Sequence, residues 1–204
     1  MFKLSEYIGR QCGNPHGIIG KICCLIMNII NNMMYKNIIS DINSDKNIRI
    51  LDIGCGNGFF IRQLYRNTKA HIYGIDISED MINTTARLNR KAITEGHLKL
   101  RAGNCCNLPY NDKTFDVVTS INSIYFWDDT LKGLSEIKRV LRNDGVFYNA
   151  VYSKKFLKKL PYTRKCFKLF RKSDYITLGK KAGFSSVELK EIVAGESYII
   201  KYIK

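Results

Sequence analysis

The stretch Leu51-Asp52-Ile53-Gly54-Cys55-Gly56-Asn57-Gly58-Phe59-Phe60 constrains the fold more than any other part of this chain. Ile48, Ile50, Leu51 and Ile53 run into it, as in a strand buried on both faces of a parallel sheet. Glycines at the alternate positions 54, 56 and 58 then permit a tight turn and remove Cβ atoms, so a ligand can lie against the main chain. A helical pattern follows in Phe60, Ile61, Leu64 and Tyr65. A strand that feeds a helix through such a turn makes a nucleotide-sized site at the carboxyl edge of a sheet.

A glycine turn alone is common, but a second strand, His71-Ile72-Tyr73-Gly74-Ile75-Asp76, ends in an acid 22 residues after Gly54. A carboxylate there can accept both hydroxyl hydrogens of a ribose, which points to an adenosine-like cofactor. Dinucleotide folds use G-x-G-x-x-G and receive a pyrophosphate at the helix N-terminus. Here the pattern is G-C-G-N-G, with the last glycine one place early and Asp52 just before the turn. A carboxylate at that point repels a pyrophosphate and suits a cation. S-adenosylmethionine, with its sulfonium and α-amino group, fits better than NAD.

At these residues the chain resembles the class I S-adenosylmethionine-dependent methyltransferases of the small single-domain type. Leu51–Phe60 resembles the first motif of that family, and Gly74-Ile75-Asp76-Ile77-Ser78 with Met81 resembles the second. Gly103-Asn104-Cys105-Cys106-Asn107-Leu108-Pro109-Tyr110 is similar to the loop that closes over the adenine, Phe115–Val118 to the fourth strand, and Glu136–Gly145 to the helix and turn before the fifth. Asn104 stands where the family usually has Asp, and Asn143-Asp144-Gly145 replaces Pro-Gly-Gly.

The resemblance implies an α/β, Rossmann-like, seven-stranded and mostly parallel sheet with an antiparallel last strand, helices on both faces and an N-terminal helical lid. It implies one domain over residues 1–204: a lid (1–45), a cofactor-binding core (46–152), and a basic insert, last helix and C-terminal hairpin (153–204). It further implies S-adenosylmethionine as cofactor and S-adenosylhomocysteine as product. The cofactor would be held by Asp52, Gly54, Cys55, Gly56, Gly58, Asp76, Ile77, Met81, Asn104, Cys105 and Asn122.

The pattern of the chain agrees. A length of 204 residues suits one domain, and helical and strand periodicities alternate, as in a parallel sheet. Strands are predicted near 48–53, 71–76, 98–102, 115–120 and 146–152, with helices starting near Asn57, Glu79 and Asp129. A last helix near Ser173–Ala182 and a hairpin of Val187–Ile192 with Tyr198–Ile203 follow. One long helix is predicted over Gly17–Ile39, its face of Ile18, Ile22, Ile26, Ile29 and Met33 packed on the domain. The uncharged run at 22–35 is too short for a comfortable bilayer span, and no signal peptide is expected.

A net charge of +15 is in part the lysine-rich surface of a sequence swollen with Lys, Asn and Ile. Between Lys154 and Lys181, however, basic residues are opposed within the segment only by Asp174 and alternate with Phe156, Leu157, Leu160, Phe167 and Phe170. That face is either solvated surface or a binding surface for nucleic acid, anionic lipid or an acidic substrate. The seven cysteines show no C-x-x-C, and no metal-ligand spacing links them to the histidines, so no metal is expected. The adjacent pairs Cys23-Cys24 and Cys105-Cys106 read as small core residues, or as ligands for a thiophilic ion. Reduced cysteines place the protein in the cytoplasm.

Acceptor residues fall after the fourth strand and in the lid. Tyr125 and Phe126 could line an aromatic pocket, while Trp127 suits the core; Tyr7 and Tyr35 belong to the lid. His16 in Asn14-Pro15-His16-Gly17 is a candidate base, and Tyr125 a second catalytic candidate. The expected reaction is in-line methyl transfer to a small-molecule acceptor by a monomer or dimer. An RNA or protein methyltransferase using the 154–181 face is the alternative, as is a partner protein that binds S-adenosylmethionine without turnover.

Overall fold

In the computed structural model, which describes residues 2–13, 15, 17–42 and 47–204, the chain opens with three helices. These are α1 (Phe2–Gly13), α2 (Gly17–Ile30) and α3 (Asn32–Asp41). The alternating core follows as β1 (Arg49–Ile53), α4 (Phe59–Asn67), β2 (His71–Asp76), α5 (Glu79–Leu88), α6 (Arg90–Thr94), β3 (Leu98–Ala102) and β4 (Phe115–Ile121). Then come a 3-10 turn at Ile124–Phe126, α7 (Thr130–Val140), β5 (Leu141–Tyr152) and α8 (Lys154–Lys159). A 3-10 turn at Pro161–Thr163, α9 (Lys172–Lys181), β6 (Ser186–Val193) and β7 (Ser197–Ile203) complete the described chain.

The strands form one sheet in the order β3-β2-β1-β4-β5-β7-β6. Pairings from β3 to β5 are parallel, and β7 runs antiparallel to both its neighbours. The expected Rossmann-like sheet is therefore present. Its order reverses between β1 and β4, and a ligand crevice opens at such a switch point, beyond the carboxyl ends of the strands.

Strand periodicity of two divides the core between the faces. Leu51, Ile53, Ile75, Val118 and Phe147 pack with Leu134 and Ile137 of α7 and Tyr175 of α9. Ile50, Ile72, Val117 and Tyr148 pack on the other face with Ile61 and Leu64 of α4 and Met34 and Ile38 of α3. Phe60, Ile61 and Leu64 are the buried stripe of α4, each worth roughly 1.5–3 kcal/mol of burial. This packing fixes α4 against the sheet and so fixes the turn that precedes it.

Three expectations need correction. The helix over Gly17–Ile39 is two helices, bent by 59° at Asn31, and α1 precedes them. The break falls where a buried asparagine is drawn to side chains of the core, described below. Secondly, the face of Ile18, Ile22, Ile26, Ile29 and Met33 points outward: Ile18 is 76% and Ile29 79% exposed. The opposite face, with Cys23, Cys24, Met27 and Asn28, closes a cavity instead. Both faces of α2 are largely apolar, so periodicity alone could not choose the inward one. Thirdly, β5 begins at Leu141, which pairs with Phe115 before the register shifts to Val117 opposite Val146. The extra residues hold the Asn143-Asp144-Gly145 turn, with Asp144 left-handed at φ 62°.

Candidate active site

The turn after β1 is built as the glycines require. The Gly54 amide donates to the Ile75 carbonyl at 2.8 Å, tying the end of β1 to the end of β2. Gly56 and Gly58 have φ of 54° and 75°, a region that L side chains rarely enter. A Cβ on Gly56 would meet nothing within 4 Å, because that side of the turn opens on the cavity. A Cβ on Gly58 would stand 2.5 Å from Thr85 Cγ2, so Gly58 serves the packing of the turn on α5.

A cavity of about 690 Å³ opens along this turn, within the size range of small-molecule sites. Asp52, Gly54, Cys55, Gly56, Asp76, Ile77, Asn104, Cys105 and Asn122 all line it, as do Tyr35, Tyr125 and Phe126. Gly58, Met81 and Tyr7 do not. Met81 is buried behind the wall, where Cys24 Sγ donates to its sulfur at 3.8 Å, and Tyr7 is 39% exposed. His16 lies outside the described residues.

Asp52 is buried and accepts from Thr119 Oγ1 at 2.8 Å. Burial pushes its carboxyl up to about 7; the Thr119 bond opposes the rise and the Asp76 charge adds to it. Asp76 accepts from the Gly56 amide at 2.8 Å and the Ser78 amide at 3.0 Å, one on each oxygen. Burial raises its carboxyl too, against the pull of those amides. Each Asp76 oxygen keeps a lone pair for a further donor. Two carboxyls flanking an open glycine turn therefore suit a ligand with a cationic end and a pair of hydroxyls.

Asn104 accepts from the Cys106 amide at 2.8 Å and donates to Asp128 Oδ2 at 3.0 Å. Its side-chain oxygen keeps one lone pair for a donor such as an adenine amino group. Asn122 is left-handed at φ 56°. Its Nδ2 donates to Asn31 Oδ1 at 2.9 Å, and its Oδ1 accepts from the Tyr125 hydroxyl at 3.1 Å. The Tyr125 hydroxyl in turn accepts from the Tyr152 amide at 2.6 Å, while the Tyr152 hydroxyl donates to Asn31 Oδ1 at 3.1 Å. Burial holds Tyr125 well above the usual phenol value, so it is a neutral donor and not a base.

Sequence reading missed Asn31 and the insert wall. Asn31 joins the bend of the lid to the loop after β4, and the asparagines interrupting an apolar helix were its signal. Phe156, Leu157, Leu160, Tyr162 and Phe167 of the basic segment line the cavity as well. Some of the basic residues are engaged structurally: Lys168 donates to the Asp128 carbonyl at 2.7 Å, Lys165 pairs with Glu6 at 3.3 Å, and Lys172 pairs with Glu191 at 2.7 Å. Cys12 and Cys24 face the cavity as thiols, pushed by burial up to about 12 and about 11. No group of three or more metal-binding side chains occurs among the described residues.

A family model described as a methyltransferase domain matches residues 51–149. The O-methyltransferase resE of Aspergillus sclerotiorum is 30% identical over 116 residues, covering 57% of this chain and 44% of that protein. The ubiquinone/menaquinone biosynthesis C-methyltransferase UbiE of Citrifermentans bemidjiense is 30% identical over 142 residues, covering 63% and 60%. The chain spans less than two thirds of the length of such relatives. The crystal structure of a SAM dependent methyltransferase from Aquifex aeolicus superposes with a TM-score of 0.68 at 19% identity, covering 83% of this chain and 88% of that one, a likeness of fold. The matched region runs from the glycine turn to β5 and carries the strand order that the motifs imply, so residues 51–149 of this chain are similar to a methyltransferase domain in sequence and to S-adenosylmethionine-dependent methyltransferases in fold.

Proposed function

We propose that the protein transfers a methyl group from S-adenosylmethionine to a small acceptor with an apolar body. The observation that carries the acceptor class is the lining of the cavity. Besides the acids and the open turn it includes an apolar set, Tyr125, Phe126, Phe156, Leu157, Leu160 and Phe167, of which Phe126 and Phe167 have ring centres 4.6 Å apart. When bound, the cofactor supplies a methyl carbon already activated on a sulfonium. The protein's part is alignment of the acceptor and exclusion of water.

Asp52 would hold the α-amino group, and Asp76 the ribose hydroxyls beside the backbone of Gly54, Cys55 and Gly56. Asn104 and the Cys105 backbone would meet the adenine edge, with Ile77 over its face. Asn122 would face the methionyl end, oriented by the Tyr125 hydroxyl. This makes Tyr125 a positioning residue rather than a base. Apolar surface on the insert supports a body that gains from leaving water, at roughly 25 cal/mol per Å² buried.

Labelled S-adenosylmethionine incubated with the protein and a cell extract tests the reading. The label should move into the fraction soluble in organic solvent. Label confined to acid-precipitable RNA or protein would overturn it.

A further inference from the structure

Where the resembled family usually has an acid, this chain has the amide of Asn104, bonded to an acid 24 residues further on. The Asn104 oxygen accepts from the Cys106 amide at 2.8 Å, and its Nδ2 donates to Asp128 Oδ2 at 3.0 Å. Both side chains line the cavity. Turning the Asn104 amide over would set its nitrogen against the Cys106 N–H and its oxygen against the Asp128 carboxylate, so the two bonds fix which atom points where. Joined in this way, the Asn104 oxygen and the Asp128 carboxylate present acceptors side by side.

The segment that carries Asp128 is held from several directions. Lys168 Nζ donates to the carbonyls of Trp127 and Asp128, and the Lys168 amide donates to the Tyr125 carbonyl at 3.0 Å. Cys106 Sγ donates to the Asp129 carbonyl at 3.2 Å. These Lys168 bonds go to main-chain oxygens, and among the described residues no cation pairs with the Asp128 carboxylate. Its position is therefore fixed while lone pairs remain for a ligand. The place along the site suits a base: the Gly103 amide donates to the Asp76 carbonyl at 2.9 Å, so the loop bearing Asn104 starts beside the acid assigned to the ribose.

We propose that Asp128 is a specificity-determining residue of the cofactor site. Its carboxylate and the Asn104 oxygen take the two amino hydrogens of the adenine, so the site selects a 6-aminopurine over a 6-oxopurine. A carbonyl at the purine 6-position would face two acceptors and leave the carboxylate without its donor. The inference rests on S-adenosylmethionine as the donor, and it goes further by giving base selection to a residue outside the loop after β3. Asp128 is exposed, so water competes there and the lower end of the range for a charge-assisted hydrogen bond applies.

Calorimetry with S-adenosylhomocysteine and its 6-oxo analogue, S-inosylhomocysteine, reads the selection as a ratio of affinities. The parent should prefer the amino compound by about tenfold or more. Asp128→Asn keeps an oxygen for the Asn104 amide and offers its own nitrogen to the base, so the ratio should fall by about tenfold. Asp128→Ala offers neither and should give a ratio between the two. Damage to the fold weakens both ligands together and leaves the ratio alone, which separates selection from a structural role. A parent without preference, or a parent ratio kept by both variants, overturns the proposal and leaves the donor reading standing. Failure of the parent to bind S-adenosylhomocysteine at all overturns the donor reading and the proposal with it.

Discussion

Replacing Asp52 with Asn should make the protein more stable and a worse cofactor binder at the same time. Burial pushes the Asp52 carboxyl up to about 7, against the Thr119 bond that holds it down. The folded value lies above the unfolded value of about 3.9, so the native state holds the proton more tightly. The group's contribution is therefore fully favourable below about pH 4 and is lost as pH rises through 7. A rise of that size is worth at most about 4 kcal/mol, so Asp52→Asn should raise the midpoint of thermal unfolding at pH 8 by several degrees, at about 2–4 °C per kcal/mol for this size.

Cofactor binding has the opposite sign. An α-amino cation at this position needs the carboxylate, whose population rises about fifteenfold between pH 5.5 and 7, where the ligand amine stays protonated. Affinity for S-adenosylmethionine in the parent should rise by about that factor across the window, with a proton released on binding at the acid end. In Asp52→Asn the profile should be flat, and at pH 7.5 binding should be weaker by about 1.5–3 kcal/mol, the scale of a charge-assisted hydrogen bond. Calorimetry in buffers of different ionisation enthalpy reads both quantities. A parent profile that is flat over this window, or parent-like affinity in the variant, refutes the assignment of Asp52 to the amino group.

The remaining predictions concern the neighbouring parts of the site. Asp76→Ala should weaken S-adenosylmethionine by about 1.5–3 kcal/mol in the same titration; unchanged affinity would remove Asp76 from the ribose. Gly58→Ala combines a φ of 75° with a Cβ 2.5 Å from Thr85, and should cost about 2 kcal/mol or more in denaturant unfolding. A cost under about half a kcal/mol would mean the turn is not left-handed there. Asn31→Ala strips the Asn122 amide and the Tyr152 hydroxyl of an acceptor, and should speed hydrogen exchange in α2 with little change in β1 or β2. Equal protection before and after would show that the amide pair does not hold the lid.

The glycine turn and its two acids were legible because they are local. Asp52, the three glycines and Asp76 fall on two strand ends whose character is written in apolar runs, and the parallel register then sets those ends side by side. Met81 illustrates the limit of that reading: its place in the second motif implied a contact with the cofactor, yet packing turned it behind the wall toward Cys24. The aromatic part of the cavity wall was not legible, since it is assembled from distant pieces. Phe126 meets Phe167 with ring centres 4.6 Å apart, a contact between a loop after β4 and the basic insert that no spacing encodes. The direction of α2 was misread for a related reason. A helix apolar on both sides carries no record of which side its partner occupies, and the asparagines that fixed the answer are polar atoms bonded across 91 residues of sequence.

The pairing of Asn31 with Asn122 bears on how specificity could diverge in such a chain. Asn31 joins the bend between α2 and α3 to Asn122 after β4 and to Tyr152 of β5, whereas the glycine turn is tied to the end of β2 by bonds of its own. Changes in α1, α2 or the insert can therefore remodel the cavity around the Asn31 contacts while the bonds that shape the glycine turn stay as they are.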